Sequence, residues 1–428
     1  MNQRQLRERF TAVRAQTHVL AADLSAEDCL LQSMPDASPV KWHLAHSNWF
    51  FQTFVVDLAA QRGMLAASPA DPLYRQLFNS YYVGIGPCHP RPERGLISRP
   101  SLADIYAYRR SVDAVLQDLL DRPEIADDLL ALVELGLHHE QQHQELILTD
   151  IKHHFSRNPA LPVFRNHSAA VKRAPLTLTP SRFLPQPGGY ADVGWNGDAF
   201  CFDNELPHHG VWLQAYAIAN RPVSNSEYLA FIADGGYRRA ELWLSDGWDV
   251  CRREAWSAPL YWRQHGSDWS VFTLSGEHAL VADEPVCHVS FFEADAYARW
   301  SSARLCTEEE WERAAWSVWS ESRDDAGGNF LDSGALHPAA SVSAPSAQPL
   351  QMFGDVWEWT GSAYRPYPGY RCAAGATGEY NGKFMINQMV LRGGSCVTPR
   401  SHIRPSYRNF FPPAARWQFS GIRLAHDL

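Results

Sequence analysis

Apolar residues recur at three- and four-residue intervals in four long segments of the first 158 residues. These are LRERFTAVRAQTHVLAADL from Leu6, WHLAHSNWFFQTFVVDLAAQRG from Trp42, LADIYAYRRSVDAVLQDLLD from Leu102 and ADDLLALVELGLHHEQQHQELILTDIKHHF from Ala126. The interval matches the α-helical turn, so each segment predicts a helix, and four of this length predict a bundle. Between the second and third lies RQLFNSYYVGIGPCHPRPERGLISRP, too rich in Pro, Gly and Arg to be helical throughout. A loop this long in a compact domain points to function, and its tyrosine pair supports that reading. The pattern then breaks: prolines at 159, 162, 175, 180, 185 and 187 mark residues 159–187 as a linker. Residues 188–428 carry short aromatic segments between Gly, Asn, Asp and Pro, with helix-like stretches only at NSEYLAFIADG, FFEADAYARWSSA and TEEEWERAAW. The expected architecture is therefore multidomain: a helical bundle over 1–158, then an irregular α+β domain over 188–428.

Composition narrows the function. The formal charge of −9 disfavours a polyphosphate partner. No run approaches the roughly 20 apolar residues that span a bilayer, and the opening MNQRQLRERF is polar where a signal peptide needs an apolar stretch, so the expected location is cytoplasmic. Eight scattered cysteines without a CxxC spacing do not read as a disulfide framework or a zinc knuckle.

The eighteen histidines cluster instead. His139 and His143, in HEQQH, lie four apart and so share one helical face, where two imidazoles can meet one metal. Zinc proteases use the same HExxH spacing, with the Glu as general base, so the motif alone leaves the metal open. The second helix offers a third ligand, His46 or His43. His46 precedes the apolar aromatic run of an inward face, whereas His43 reads as a surface residue or a support to a ligand. Three neutral imidazoles with open positions suit Fe(II) or Zn(II). His138, His153 and His154 read as solvated or structural. Tyr81 and Tyr82 are candidate proton donors, and because neighbours in an extended segment point to opposite sides, one of them should dominate, Tyr82 being preferred. Arg91 and Arg94 carry planar forks suited to a carboxylate. Asn409, Phe410 and Phe411, between Arg408 and a Pro-Pro pair, read as an ordered loop in an aromatic region able to cage a quaternary ammonium.

Taken together, LAHSNWFFQTF, FNSYY, HPRPERG and LHHEQQHQE resemble the DinB-like helical domain of ergothioneine sulfoxide synthases, and GDVWEW, LRGGS and GIRLA resemble the formylglycine-generating-enzyme (C-type-lectin-like) fold joined to it. The resemblance implies a non-haem Fe(II) enzyme that uses O2 to join a thiol sulfur to the imidazole C2 of N-alpha-trimethylhistidine (hercynine), with oxidation to a sulfoxide. It implies iron ligands at His46, His139 and His143, and contact of Gln142, Asn409 and Phe410 with the trimethylhistidine. It further implies that Arg91 and Arg94 hold the thiol substrate's carboxylate, and that Tyr81 and Tyr82 match a pair from the cysteine-using branch. Cys396 directly follows the Gly-Gly-Ser turn and no second cysteine appears before Arg404, which argues against copper-dependent formylglycine formation. Where the branch that takes gamma-glutamylcysteine has Trp-Asp after the Asn, this chain has Phe410-Phe411, which leaves the thiol open between cysteine, the favoured one, and gamma-glutamylcysteine. The alternatives are a selenoneine synthase taking a selenosugar, a zinc metalloprotease, and a non-catalytic binding module.

Overall fold

Asn2 starts the first helix by accepting the amide of Gln5, whose side chain in turn accepts the Asn2 amide at 3.1 Å. Such a reciprocal cap contributes about 1 kcal/mol. In the computed structural model, which describes residues 2–66, 71–123, 125–165, 180–319, 328–341 and 347–428, the helix runs Gln3–Ala21 (α1). It is followed by α2 (Val40–Phe51), which continues through a wider turn at Gln52–Val56 into Asp57–Gln61. Helix α3 (Leu102–Leu120) is capped by Ser101, and α4 spans Asp127–Ser156. All four predicted helices are present.

These helices belong to a first unit made of Met1–Phe164, Asp198–Phe200 and Ala373–Tyr380. Its core gathers Phe10, Val13, Phe51, Val55, Val112, Leu116, Val133 and Leu137, each fully or almost fully buried. Burial of one such side chain stabilises the fold by roughly 1.5–3 kcal/mol. Gly136 brings α2 and α4 together: a Cβ there would stand 2.5 Å from the Phe51 ring, so only glycine permits this approach, one turn before His139. All twelve residues of α2 are buried, including its polar ones.

The second unit comprises Arg165–Gly197, Cys201–Cys372 and Asn381–Leu428. One four-stranded sheet orders Phe183–Gln186, Tyr216–Ala219, Leu424–Asp427 and Arg304–Leu305 side by side; another orders Asn409–Phe411, Met389–Arg392, Trp357–Ala363 and Ser420–Gly421. The three helix-like stretches of this half form Asn225–Ala233, Phe291–Trp300 and Glu308–Trp316, each opened by a Ser or Thr cap with Glu three residues on. Of the proline-rich stretch read as a linker, 166–179 lie outside the described residues. Its end, Phe183–Gln186, is a strand at the edge of the first sheet, the position where Pro185 costs no ladder hydrogen bond. The fold is thus helical bundle plus mixed α+β domain. Among the described residues no helix is long and apolar enough to cross a membrane.

Candidate metal centre

Helix α2 presents His43 and His46 three residues apart, and α4 presents His139 and His143 four apart, so each helix turns two imidazoles to one side. Among the described residues, ligand atoms of His46, His139 and His143 all lie within 4.8 Å of one another. The Nε2 atoms of His139 and His143 are 3.2 Å apart, and the three ring centroids are separated by 4.6–4.9 Å with planes inclined at 66–75°. The rings thus converge edge-on, as ligands on one face of a metal would.

Protonation states fit that use. Burial, reinforced by the neighbouring imidazoles, holds His46 and His143 well below the ordinary range; for His139 burial outweighs the opposing charge of Glu140 and brings the value to about 3. All three are neutral at physiological pH, the form that donates a lone pair. The His46 Nδ1–H donates to the Phe78 carbonyl at 2.6 Å, leaving Nε2 bare for a ligand. The His46 ring is clamped between two indoles, Trp42 at 4.5 Å and Trp49 at 5.6 Å, both nearly parallel to it. His143 Nδ1 lies 2.8 Å from His43 Nδ1, and His43 Nε2 lies 3.0 Å from Asp150 Oδ2. Burial would raise the Asp150 carboxyl, but its bond to His43 and the nearby imidazole charges hold it below the usual range. No described residue bonds His139 Nδ1, a buried orphan. Three converging buried imidazoles with no carboxylate among them are a donor set that fits one borderline divalent cation such as Fe(II).

His43 is therefore buried rather than on the surface; it stands behind His143 and outside the group of three converging imidazoles. His138 and His154 are buried rather than solvated: Arg9 reaches the His138 Nε2 at 2.9 Å, and Ser33 Oγ lies 2.6 Å from His153 and 2.7 Å from His154.

Glu140 does not serve the centre. Arg14 and Arg109 donate to its two oxygens at 2.8 and 2.7 Å, and although burial alone would raise its carboxyl, the two guanidiniums bring it down to about 2. A carboxylate spent this way is no general base, which removes the protease reading of HExxH. Glu140→Gln leaves two buried cations short of one negative charge, so it should destabilise the protein by about 3–5 kcal/mol in urea unfolding. The folded-state value lies below the unfolded 4.5, so the stabilisation is complete above pH 4.5 and is lost as pH falls towards 2. The parent should lose stability through that window more steeply than the Gln variant; parallel pH profiles would refute the assignment.

The tyrosine pair departs from expectation. Asn79 accepts the Tyr82 amide and donates to the Tyr82 carbonyl, folding the segment into a turn instead of an extended strand. The Tyr81 and Tyr82 rings consequently stack at 4.6 Å, with hydroxyls 3.5 Å apart, on one side of the chain. Tyr82 is fully buried against Trp49 and Phe54, and burial keeps its phenol protonated far above the ordinary range; Tyr81 is half-buried.

The first unit also contains a phenol that pattern reading missed. Tyr380 donates to Gln142 Oε1, and its ring lies 5.7 Å from that of His139. The preceding Glu379 accepts the amides of Val83 at 3.0 Å and Gly84 at 2.8 Å, which fixes the turn just after Tyr82. Of the two arginines, Arg94 is buried 3.4 Å over the Trp42 ring, the same indole that stacks on His46. It donates to Ser38 and Ser80 hydroxyls but to no carboxylate among the described residues, and burial first, then the charge of Arg91, lowers it to about 9. Arg91 is exposed and donates to the Asp36 carbonyl.

Asn409, Phe410 and Phe411 belong to the second unit, where they form a strand paired with Met389–Arg392, not a loop. Phe410 stacks on Tyr364 at 4.1 Å, and Phe384 lies 5.9 Å away. Cys396 is fully buried, its amide donating to Asp355.

Residues 9–147 match the DinB superfamily, and residues 168–428 match the sulfatase-modifying factor enzyme 1-like domain. The chain is 33% identical to a hercynine oxygenase of Mycolicibacterium thermoresistibile over 92% of its own length and 88% of the relative's. It is also 33% identical to the hercynine oxygenase of Mycobacterium tuberculosis, over 99% of both chains. A formylglycine-generating enzyme of Mycobacterium tuberculosis is 30% identical over 54% of this chain and 90% of its own.

Proposed function

Because the chain belongs to the ergothioneine sulfoxide synthase family, we propose that it joins cysteine to the imidazole C2 of hercynine, using Fe(II) held by His46, His139 and His143 and consuming O2. The observation that carries this reading is the convergence of three buried, neutral imidazoles on one point. Fe(II) would supply the electrons and open positions that O2 chemistry needs. The balance closes without an external reductant: the thiol S–H and the C2–H are lost, the C–S bond forms, one oxygen atom becomes the sulfoxide and the other leaves as water.

The remaining groups then have tasks. Gln142, oriented by Tyr380, sits between the last two ligands in sequence and presents an amide to hercynine. Asn409 and Phe410, in the second unit, keep the role the resemblance gives them, an amide and a ring suited to a trimethylammonium group, which rings attract by about 0.5–2 kcal/mol according to desolvation. Arg94, which donates to no carboxylate among the described residues, takes the carboxylate of the thiol, with Arg91 beside it. Its open hydrogen-bonding capacity towards a carboxylate favours an amino-acid thiol over a neutral selenosugar. The protein is loaded anaerobically with Fe(II) and hercynine, offered cysteine, gamma-glutamylcysteine and a selenosugar in parallel, and then admitted to air. A product of hercynine plus cysteine plus one oxygen is expected; the selenium product alone would overturn the thiol assignment.

Arg94→Met keeps the stem over Trp42 and removes the charge. The KM for cysteine should rise at least tenfold, since a buried charge-assisted pair is lost, while the hercynine dissociation constant stays within twofold. Equal loss for both substrates would place Arg94 in the architecture of the loop and not at the thiol.

A further inference from the structure

The three candidate ligands differ in what stands behind them. His46 donates its outer N–H to a neutral backbone carbonyl, and His139 has no partner there among the described residues. Behind His143 stands His43, and behind His43 stands Asp150, both buried.

We infer that Asp150 and His43 form a relay carrying carboxylate charge to the metal through His143, which makes His143 the strongest donor of the three; the inference rests on the Fe(II) reading above. Hydrogen-bond chemistry orients the chain of atoms uniquely. With His143 ligating through Nε2, the atom that meets His139, its proton sits on Nδ1 and is donated to His43 Nδ1 over 2.8 Å. His43 must accept there, so it carries its own proton on Nε2 and donates it to Asp150 over 3.0 Å. Asp150 Oδ2 also accepts the Ser38 amide at 2.8 Å. The same oxygen thus receives two donors, and neither can turn away without leaving a buried carboxylate short of a bond.

The arrangement answers a problem of charge. Non-haem iron sites commonly include one carboxylate among the ligands; here all three ligands are neutral, and the carboxylate hydrogen-bonded towards the centre reaches it through two imidazoles. Polarisation along the relay draws the His143 proton towards His43 and gives His143 imidazolate character. That favours Fe(III) over Fe(II) more than three plain imidazoles would. His43 and Asp150 are positioning residues, since His43 touches the ligand, Asp150 touches His43, and neither touches the reacting atoms.

The test uses the full chain, anaerobic, with Fe(II) competed against a chelator and the Fe(III)/Fe(II) midpoint measured in parallel. Asp150→Asn keeps shape and an acceptor oxygen but removes the charge. A loss of 10–100-fold in Fe(II) affinity is expected, the usual size for a partner behind a ligand. Fe(III) should lose at least tenfold more, which raises the midpoint by about 59 mV per factor of ten. An Asn variant with the parent's affinity and midpoint would show that the pair merely orients the ring, and would overturn the relay while leaving the Fe(II) reading intact. A parent that binds no metal would overturn both. Should the variant fail to fold, 15N-histidine spectra of the Zn(II)-loaded parent decide: a proton on His43 Nε2 and coupling across the His43–His143 bond are expected, and a His43 protonated only on Nδ1 refutes the relay.

Discussion

Replacing His46, His139 or His143 with alanine should take the protein from one Fe(II) per chain to background and abolish sulfoxide formation. The three imidazoles are neutral and buried, so none holds the apoprotein together through an ion pair, and the nearby α2–α4 contact rests on Gly136 and Phe51. The apo variants should therefore stay folded, with only the loss that truncating a buried ring brings. Beyond that, what they lose is the metal-dependent part of stability. A ligand at a hundred times its Kd adds about 2.7 kcal/mol, so the parent's Tm should climb on anaerobic addition of Fe(II) while the variants' stays flat. His43→Ala is the informative contrast: it keeps all three ligands and should retain iron, bound more weakly. If instead His46→Ala still binds one iron and turns over while His43→Ala does not, the third ligand is His43 and the stacking of His46 between Trp42 and Trp49 is architecture alone.

How much of this was legible in the chain depends on whether the signal was periodic. The four bundle helices were, because each repeats apolar residues at the helical interval, and the i, i+4 spacing of His139 and His143 already implied a shared face. Helix α2 shows where periodicity ends: with all twelve residues buried it has no solvent face, so His43, Ser47 and Asn48 carry no mark separating a supporting residue from a surface one. Their partners, Asp150 and Arg14 among them, come from other helices and cannot be inferred from spacing within α2. The strand rule failed at Tyr81 and Tyr82 because the Asn79 side chain folds the backbone into a turn, a local event that overrides alternation. Tyr380 was the hardest to find. It sits 238 residues from Gln142 in a stretch rich in Gly and Ala, and its nearness is a product of folding alone.

Tyr82→Phe should reduce sulfoxide formation by about 10²–10⁴-fold, the range for removing a positioned acid, and divert oxygen consumption towards oxidation of the thiol by itself. The proposed reaction releases water, so it needs a proton donor near three buried imidazoles. Three phenols cluster in the first unit, and their different hydrogen bonds lead us to propose different tasks for them. Tyr380 spends its proton on Gln142, so Tyr380→Phe should raise the KM for hercynine more than it lowers kcat. Tyr82 is fully buried, so its proton is kept from water and, once given, has to be replaced through a neighbour. Tyr81 is that neighbour: it is partly exposed, and its hydroxyl stands 3.5 Å from that of Tyr82. Tyr81→Phe should accordingly leave the first turnover near the parent's rate and slow the steady state. Burial holds the Tyr82 phenol far above the ordinary range, so its ionisation should leave no alkaline limb in the pH–rate profile of the parent. The decisive comparison is single-turnover product ratio in the three Phe variants. A sulfoxide-to-disulfide ratio unchanged in Tyr82→Phe and collapsed in Tyr380→Phe would transfer the proton donor to Tyr380 and leave the stacked pair as packing against Trp49 and Phe54.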